Sequence, residues 1–236
     1  MKELIKETIK DLLLKISSRL FKHRRLTLSK TDADLIKVNL GCGLRCLPDW
    51  VNVDGSLVSL LNSRKYTLIN KLLYRLAGSS AYYTFEAFNH ILQSNMIYFQ
   101  NLVNGIPLDD ESADIVYSSH FLEHLTKDDG VSFLSECHRI LKPGGLLRLL
   151  TPDLDIAFEQ FKTRDSEAVL DQFFYTSPKF DFSAHKYLYN FPMLKNRLEA
   201  IGFKDIQKMA FQKGNCPDID FLDIYPEYSI CIECYK

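Results

Sequence analysis

Short apolar runs that stop abruptly at glycine, acid or serine recur along this chain, with helical stretches between them. The first run, Leu35-Ile36-Lys37-Val38-Asn39-Leu40, ends in Gly41-Cys42-Gly43. The second, Val51-Asn52-Val53, ends in Asp54. Residues 96–102 form a third candidate strand, 114–119 a fourth and 146–150 a fifth, with two late ones at 203–211 and 228–235. Helical patterns fill residues 55–95, 128–141 and 193–201, the second stopped by Pro143-Gly144-Gly145 and the third by Gly202. Strands alternating with helices imply an α/β class and a largely parallel sheet covered on both faces.

Size and charge narrow the function classes. The 236 residues suit one globular domain with a substantial core. Net charge is −1, so no global field recruits nucleic acid. The balance is uneven: residues 1–25 carry +5, leaving −6 for the rest. Within 3–22, Leu4, Ile5, Ile9, Leu12, Leu13, Ile16 and Leu20 recur at helical spacing among lysines. This basic amphipathic helix, taken as residues 1–25, packs on the domain or touches an anionic membrane weakly; residues 26–236 read as the single domain, with 55–95 as a helical insert or lid. No secretory signal and no run of roughly 20 apolar residues is present, so a cytoplasmic chain with reduced thiols is expected. Cys231 and Cys234 resemble half a zinc site, but no second pair or suitably spaced histidine accompanies them, and no metal is expected.

In open α/β sheets, ligands bind beyond the carboxyl ends of the strands. Here those ends carry Gly41 and Gly43, Asp54, Asn101, and Ser118-Ser119-His120. Glycines let a ligand approach the backbone, and an acid after the second strand can accept both ribose hydroxyls.

Several longer motifs resemble one family. Val38-Asn39-Leu40-Gly41-Cys42-Gly43 resembles the first motif of class I S-adenosylmethionine (SAM)-dependent methyltransferases. The stretch from Ile106 through Asp114-Ile115-Val116-Tyr117-Ser118-Ser119-His120-Phe121-Leu122-Glu123-His124-Leu125 is similar to the signature of their type 11 members, in a compact branch. Glu136-Cys137-His138-Arg139-Ile140-Leu141-Lys142-Pro143-Gly144-Gly145 resembles the helix and turn before their fifth strand. The resemblance implies a Rossmann-like class I methyltransferase fold, with a mostly parallel seven-stranded sheet flanked by helices and a helical insert after the second strand. It implies SAM as cofactor and S-adenosylhomocysteine as product. Cofactor contacts would come from Asn39, Gly41, Cys42 and Gly43, the two glycines at the amino-acid end. Asp54 would hold the ribose, and Asn101 and Leu102 would lie at the adenine. Ser118, Ser119 and His120 would stand between cofactor and acceptor. The pattern departs from the family twice: Asn101 stands where an aspartate is common, and Gly41 to Asp54 leaves room only for a short loop or turn at 44–49.

Methyl transfer to oxygen or nitrogen benefits from a general base, and His120 is the first candidate. His124 lies one helical turn on, and Asp153 follows the fifth strand at the rim. His185, Tyr187 and Tyr189, in an aromatic-rich stretch with Phe173, Phe174, Tyr175, Phe180 and Phe182, are candidate contacts for a small polar acceptor such as a sugar or sugar nucleotide. Two other classes compete: a degenerate SAM-binding regulatory module without turnover, and a nicotinamide-dependent oxidoreductase. The latter lacks the third glycine, since position 45 is Arg45.

Overall fold

A computed structural model describes residues 12–22, 25–26, 35–62, 65–164, 166–174 and 184–236. The apolar positions Leu4, Ile5 and Ile9 of the basic N-terminal stretch, and Tyr175, Phe180 and Phe182, lie outside the described residues. The chain divides into two compact units, Met1–Leu108 and Asp109–Lys236.

In the first unit, β1 (Lys37–Leu40), β2 (Val51–Asp54) and β3 (Ile97–Phe99) are parallel, with Val53 between Leu40 and Tyr98. Each strand is buried along nearly its whole length, which explains why the runs are apolar rather than alternating. β1 reaches β2 without a helix, as the short spacing requires. Asn39 Nδ2 donates to Arg45 O at 2.8 Å, and Asn52 Nδ2 donates to Leu47 O and Trp50 O at 2.9 and 3.0 Å. Two buried amides therefore supply the bonds a crossover helix would have made for itself.

Three helices occupy the insert: α1 (Leu57–Leu61), α2 (Thr67–Leu76) and α3 (Phe85–Ser94). Ser56 and Thr84 cap α1 and α3, each accepting a backbone N–H. Leu57, Leu73, Phe88 and Leu92 enter one core with Ile97, Phe99, Cys42 and Cys46. The opposite face of α2 exposes Leu68 and Leu72. Residues 12–20 are helical. Leu14 is buried in this same core and Phe21 meets Phe99 edge-on, whereas Leu12, Leu13, Ile16 and Leu20 are exposed. Of the apolar stripe, the described Leu12, Leu13, Ile16 and Leu20 thus point to solvent, and the buried anchor is Leu14.

In the second unit, β4 (Ala113–Ser119) runs parallel to β5 (Leu141–Pro152), β5 pairs antiparallel with β7 (Ser229–Tyr235), and β7 with β6 (Lys204–Met209). Its helices are α4 (Lys127–Ile140), α5 (Leu154–Thr163), α6 (Ser166–Phe174), α7 (Phe191–Ile201) and the single turn α8 (Ile219–Leu222). α4 starts at Thr126, which caps Asp129 N, and α7 ends at Gly202, whose φ of 116° a side chain would resist. From helices α5 and α6, Ala157, Val169 and Phe173 bury together with Leu188. Cys231 and Cys234 both lie buried on β7. The strand order is β3-β2-β1 in the first unit and β4-β5-β7-β6 in the second, seven strands in a mostly parallel α/β fold, as the sequence predicts.

Candidate active site

The loop leaving β1 is shaped by glycine. Gly41 and Gly43 have φ of 67° and 51°, a region L-residues rarely occupy. Gly43 is exposed, and open space lies where a side chain would start. Its N–H donates to Asp54 Oδ2 at 3.1 Å, while Ser56 N donates to Oδ1 at 2.8 Å. Asp54 thus links the glycine turn to the start of α1, and each oxygen keeps a further lone pair for a ligand. Beneath the turn, Cys42 and Cys46 sulfurs lie 3.6 Å apart in the core. Burial, with the Cys46 hydrogen bond, pushes the Cys42 thiol well above its ordinary range, so it packs rather than reacts.

At the end of β3, Asn101 caps a short 3-10 turn, accepting from Val103 N at 3.1 Å and donating to Ser18 Oγ at 2.9 Å. Asn104 Nδ2 reaches the same hydroxyl at 2.8 Å. The helical segment 12–20 is therefore tied directly to the strand end where the resemblance places adenine, with Leu102 buried beside it.

The second unit holds the titratable cluster. Ser118 is buried at the end of β4, Ser119 half-buried after it. His120 then adopts a φ of 51°, unusual for a residue with a side chain, while its N–H continues the ladder to Leu150 O at 3.0 Å. The turn aims the ring at three groups. Nε2 lies 2.8 Å from Ser229 Oγ, Nδ1 lies 3.3 Å from Glu123 Oε1, and Tyr225 and Tyr228 meet the ring edge-on at 4.9 and 5.7 Å. Ser229 Oγ is also 2.6 Å from Tyr225 O. Its single proton serves one of these neighbours. Given to Tyr225 O, it leaves Nε2 of His120 donating to the serine; given to Nε2, it leaves that nitrogen accepting.

Glu123 is wholly buried. Burial pushes its carboxyl up, but His120 and His124 outweigh that and hold it below its ordinary value of 4.5. Thr151 Oγ1 donates to its Oε2 at 3.2 Å. His124 follows in the same 3-10 turn, its Nδ1 3.1 Å from Ala184 O, with its ring centre 5.2 Å from that of His185. His185 is held below 6.5 by burial.

The other predicted residues take separate places. Asp153 is buried rather than at an open rim: Oδ1 caps Asp155 N at 3.0 Å and Oδ2 accepts from Lys208 at 3.0 Å. Tyr187 and Tyr189 meet edge-to-face at 5.0 Å beneath the Arg197 guanidinium of α7. Tyr189 is fully buried, whereas His185 pairs with His124. The sequence reading overlooked Glu123, Ser229, Tyr225 and Tyr228. The one available signal was the spacing of Glu123 three residues after His120, which brings their side chains onto one turn.

Residues 79–149 match the methyltransferase domain family. The matched stretch includes the end of β4 with His120 and Glu123; Gly41, Gly43 and Asp54 precede it. A protein of Mycolicibacterium smegmatis, described as a probable S-adenosylmethionine-dependent methyltransferase, is 37% identical over 70 residues, which are 27% of this chain and 26% of the relative. The match thus spans about a quarter of that relative's length. A structure from Bordetella parapertussis, described as a possible exported protein, shares the fold at a TM-score of 0.51 and 15% identity, covering 94% of this chain and 66% of the other. A SAM-dependent methyltransferase from Archaeoglobus fulgidus aligns at 0.48 and 16% identity over 96% and 94%.

Proposed function

We propose that this chain transfers the methyl group of SAM to a small polar acceptor, and that the acceptor atom is a hydroxyl of a sugar or sugar nucleotide. The observation that carries the reading is the methyltransferase match over 79–149, in whose strand end His120 rests against the buried Glu123. The residues of the first unit suit the cofactor: the positive-φ turn exposes Gly43, and Asp54 has lone pairs to spare for a ribose. Bound there, SAM would supply a methyl group on a sulfonium leaving group. His120 in its neutral form would take the acceptor proton, and Glu123 would hold its tautomer and stabilise the imidazolium that results. Tyr225 and Tyr228, stacked at 5.3 Å, offer a flat surface with polar tips of the kind that binds sugars. The six free, buried cysteines support a reducing, cytoplasmic location. Among the described residues, no helix is long and apolar enough to cross a membrane.

One observation favours a second reading, a SAM-binding module without turnover. Asn101, expected at the adenine, already uses its oxygen for Val103 N and its amide for Ser18. Calorimetric titration with SAM and S-adenosylhomocysteine, beside Asp54→Ala, addresses both. Micromolar binding that weakens by about tenfold or more in the variant, about 1.4 kcal/mol, is the expected result. A panel of sugars and nucleotide sugars with radiolabelled SAM then separates the readings. Label incorporation that His120→Gln abolishes supports the enzyme, binding with no incorporation supports the module, and absence of binding overturns both.

A further inference from the structure

Glu123 presents an unusual combination: a fully buried carboxylate whose Oε1 accepts no hydrogen bond. Its contact with His120 Nδ1 at 3.3 Å is an ion-pair distance, not an aligned bond. A buried acceptor left in this state costs free energy unless a cation or donor completes it.

Two imidazoles stand beside it. One ligand atom from each of Glu123, His124 and His185 lies within 4.8 Å of the others. The hydrogen bonds of the two rings select the tautomer that ligation needs. Nδ1 of His124 is 3.1 Å from Ala184 O, and Nδ1 of His185 is 2.7 Å from Phe173 O. A carbonyl oxygen only accepts, so both Nδ1 atoms carry the proton and both Nε2 atoms keep a lone pair. Backbone carbonyls orient metal-bound histidines in this same way. The two segments are also held together: Glu123 O accepts from Lys186 N at 2.7 Å and Tyr187 N at 3.2 Å. Thr151 fixes the second carboxylate oxygen.

We propose that Glu123, His124 and His185 form a binding site for one divalent transition-metal ion of the zinc type. The site shares Glu123 with the methyl-transfer reading, but its test does not depend on that reading. The set of two nitrogens and one oxygen, without thiolate, suits zinc, cobalt or nickel rather than a soft ion. Bonds of about 2.0–2.2 Å in a tetrahedron put ligand atoms roughly 3.4 Å apart. The three groups must therefore draw in from 4.8 Å, which the half-buried imidazoles can do by rotating. The fourth position is left to water or an oxygen ligand. The metal would compete with His120 for Glu123.

The test uses the full, untagged, chelator-stripped protein titrated with Co²⁺ and then Zn²⁺. Expected are one Co²⁺ per chain at micromolar affinity, visible d–d bands without thiolate-to-cobalt charge transfer, and displacement by Zn²⁺. His185→Ala should weaken binding by at least about tenfold with an unchanged far-ultraviolet dichroism spectrum. Should that variant misfold, proton NMR of the intact protein decides: Co²⁺ must shift or broaden the ring signals of His124 and His185, and not those of His90 or His138. No bound Co²⁺ at millimolar free metal overturns the site. So do thiolate charge-transfer bands, affinity indifferent to His185, or paramagnetic effects confined to other histidines.

Discussion

Gly130 lies inside α4, where a glycine ordinarily weakens a helix by about 1 kcal/mol relative to alanine. Its reason is Tyr189: a β-carbon at position 130 would sit 2.6 Å from the Tyr189 hydroxyl and 3.3 Å from Leu122 Cδ1. Tyr189 is fully buried, and burial pushes its phenol up to about 12, so the ring cannot simply move into water. Gly130→Ala should therefore destabilise by about 1–3 kcal/mol, the usual cost of overpacking. In a Tyr189→Phe background the clash is gone, and the same change should become neutral or stabilising. Urea unfolding of the four proteins measures this; additivity of the two changes would show that the contact is not the cause. Nothing in the sequence links the two positions, since steric fit between distant residues leaves no local pattern. His120 was legible because it ends an apolar run. Glu123 was harder to place, because its burial depends on Thr151 and on the segment at Lys186 and Tyr187, which lie far along the chain.

Strand β5 shows what periodicity misses. Residues 146–150 read as a buried run of leucines interrupted by Arg148. The arginine is itself fully buried, and its partners lie far along the chain. Nε bonds Asp223 Oδ1 at 3.0 Å, Nη2 bonds Oδ2 of the same residue, and Nη1 bonds Glu233 Oε1 at 2.9 Å and Lys213 O at 3.0 Å. Tyr117 donates to Asp223, and Asn215 N and Cys216 N donate to Glu233. Arg148 thus anchors the 210–223 segment to β5 and β7. Arg148→Ala leaves two buried carboxylates facing each other, and a loss of about 3–5 kcal/mol is expected. Arg148→Lys should recover only part, because an ammonium cannot reproduce the forked contacts. Chemical denaturation checks the order; equal stability of wild type and Arg148→Ala would remove the network from the account. The strands, the glycine turn and α4 could be read from sequence because each is locally encoded. Helices α5 and α6 are the elements the sequence reading passed over; they contribute Ala157, Val169 and Phe173 to the core.

At the scale of the whole molecule, the shifted groups predict a stability curve with two falling sides. Burial holds His138 and His185 below 6.5. Between the folded and unfolded values the unfolded chain binds more protons, so stability rises with pH there and is fully present only above about 6.5. Glu123, held below 4.5 by its histidines against its own burial, adds to the loss at still lower pH. The alkaline side has the opposite sign. Burial raises Cys42, Cys137, Cys216 and Cys234 from 9.0, Cys231 to about 11, and Tyr117 and Tyr228 from 10.0. These groups stay protonated in the fold while the unfolded chain ionises, so it binds fewer protons and stability falls as pH rises past about 9. The maximum should therefore lie between about pH 6.5 and 9, with free thiols kept reduced. Melting temperatures or urea midpoints taken from pH 4.5 to 10.5 test it. His138→Gln should flatten part of the acid limb without moving the alkaline one, because burial and then the charges of Lys236 and Lys204 hold that imidazole down, and none of these involves a thiol. Stability that climbs from pH 9 to 10.5 would mean that the thiols are ionised in the fold. Stability that stays level from pH 6.5 to 5 would mean that the histidines titrate as they do in the unfolded chain.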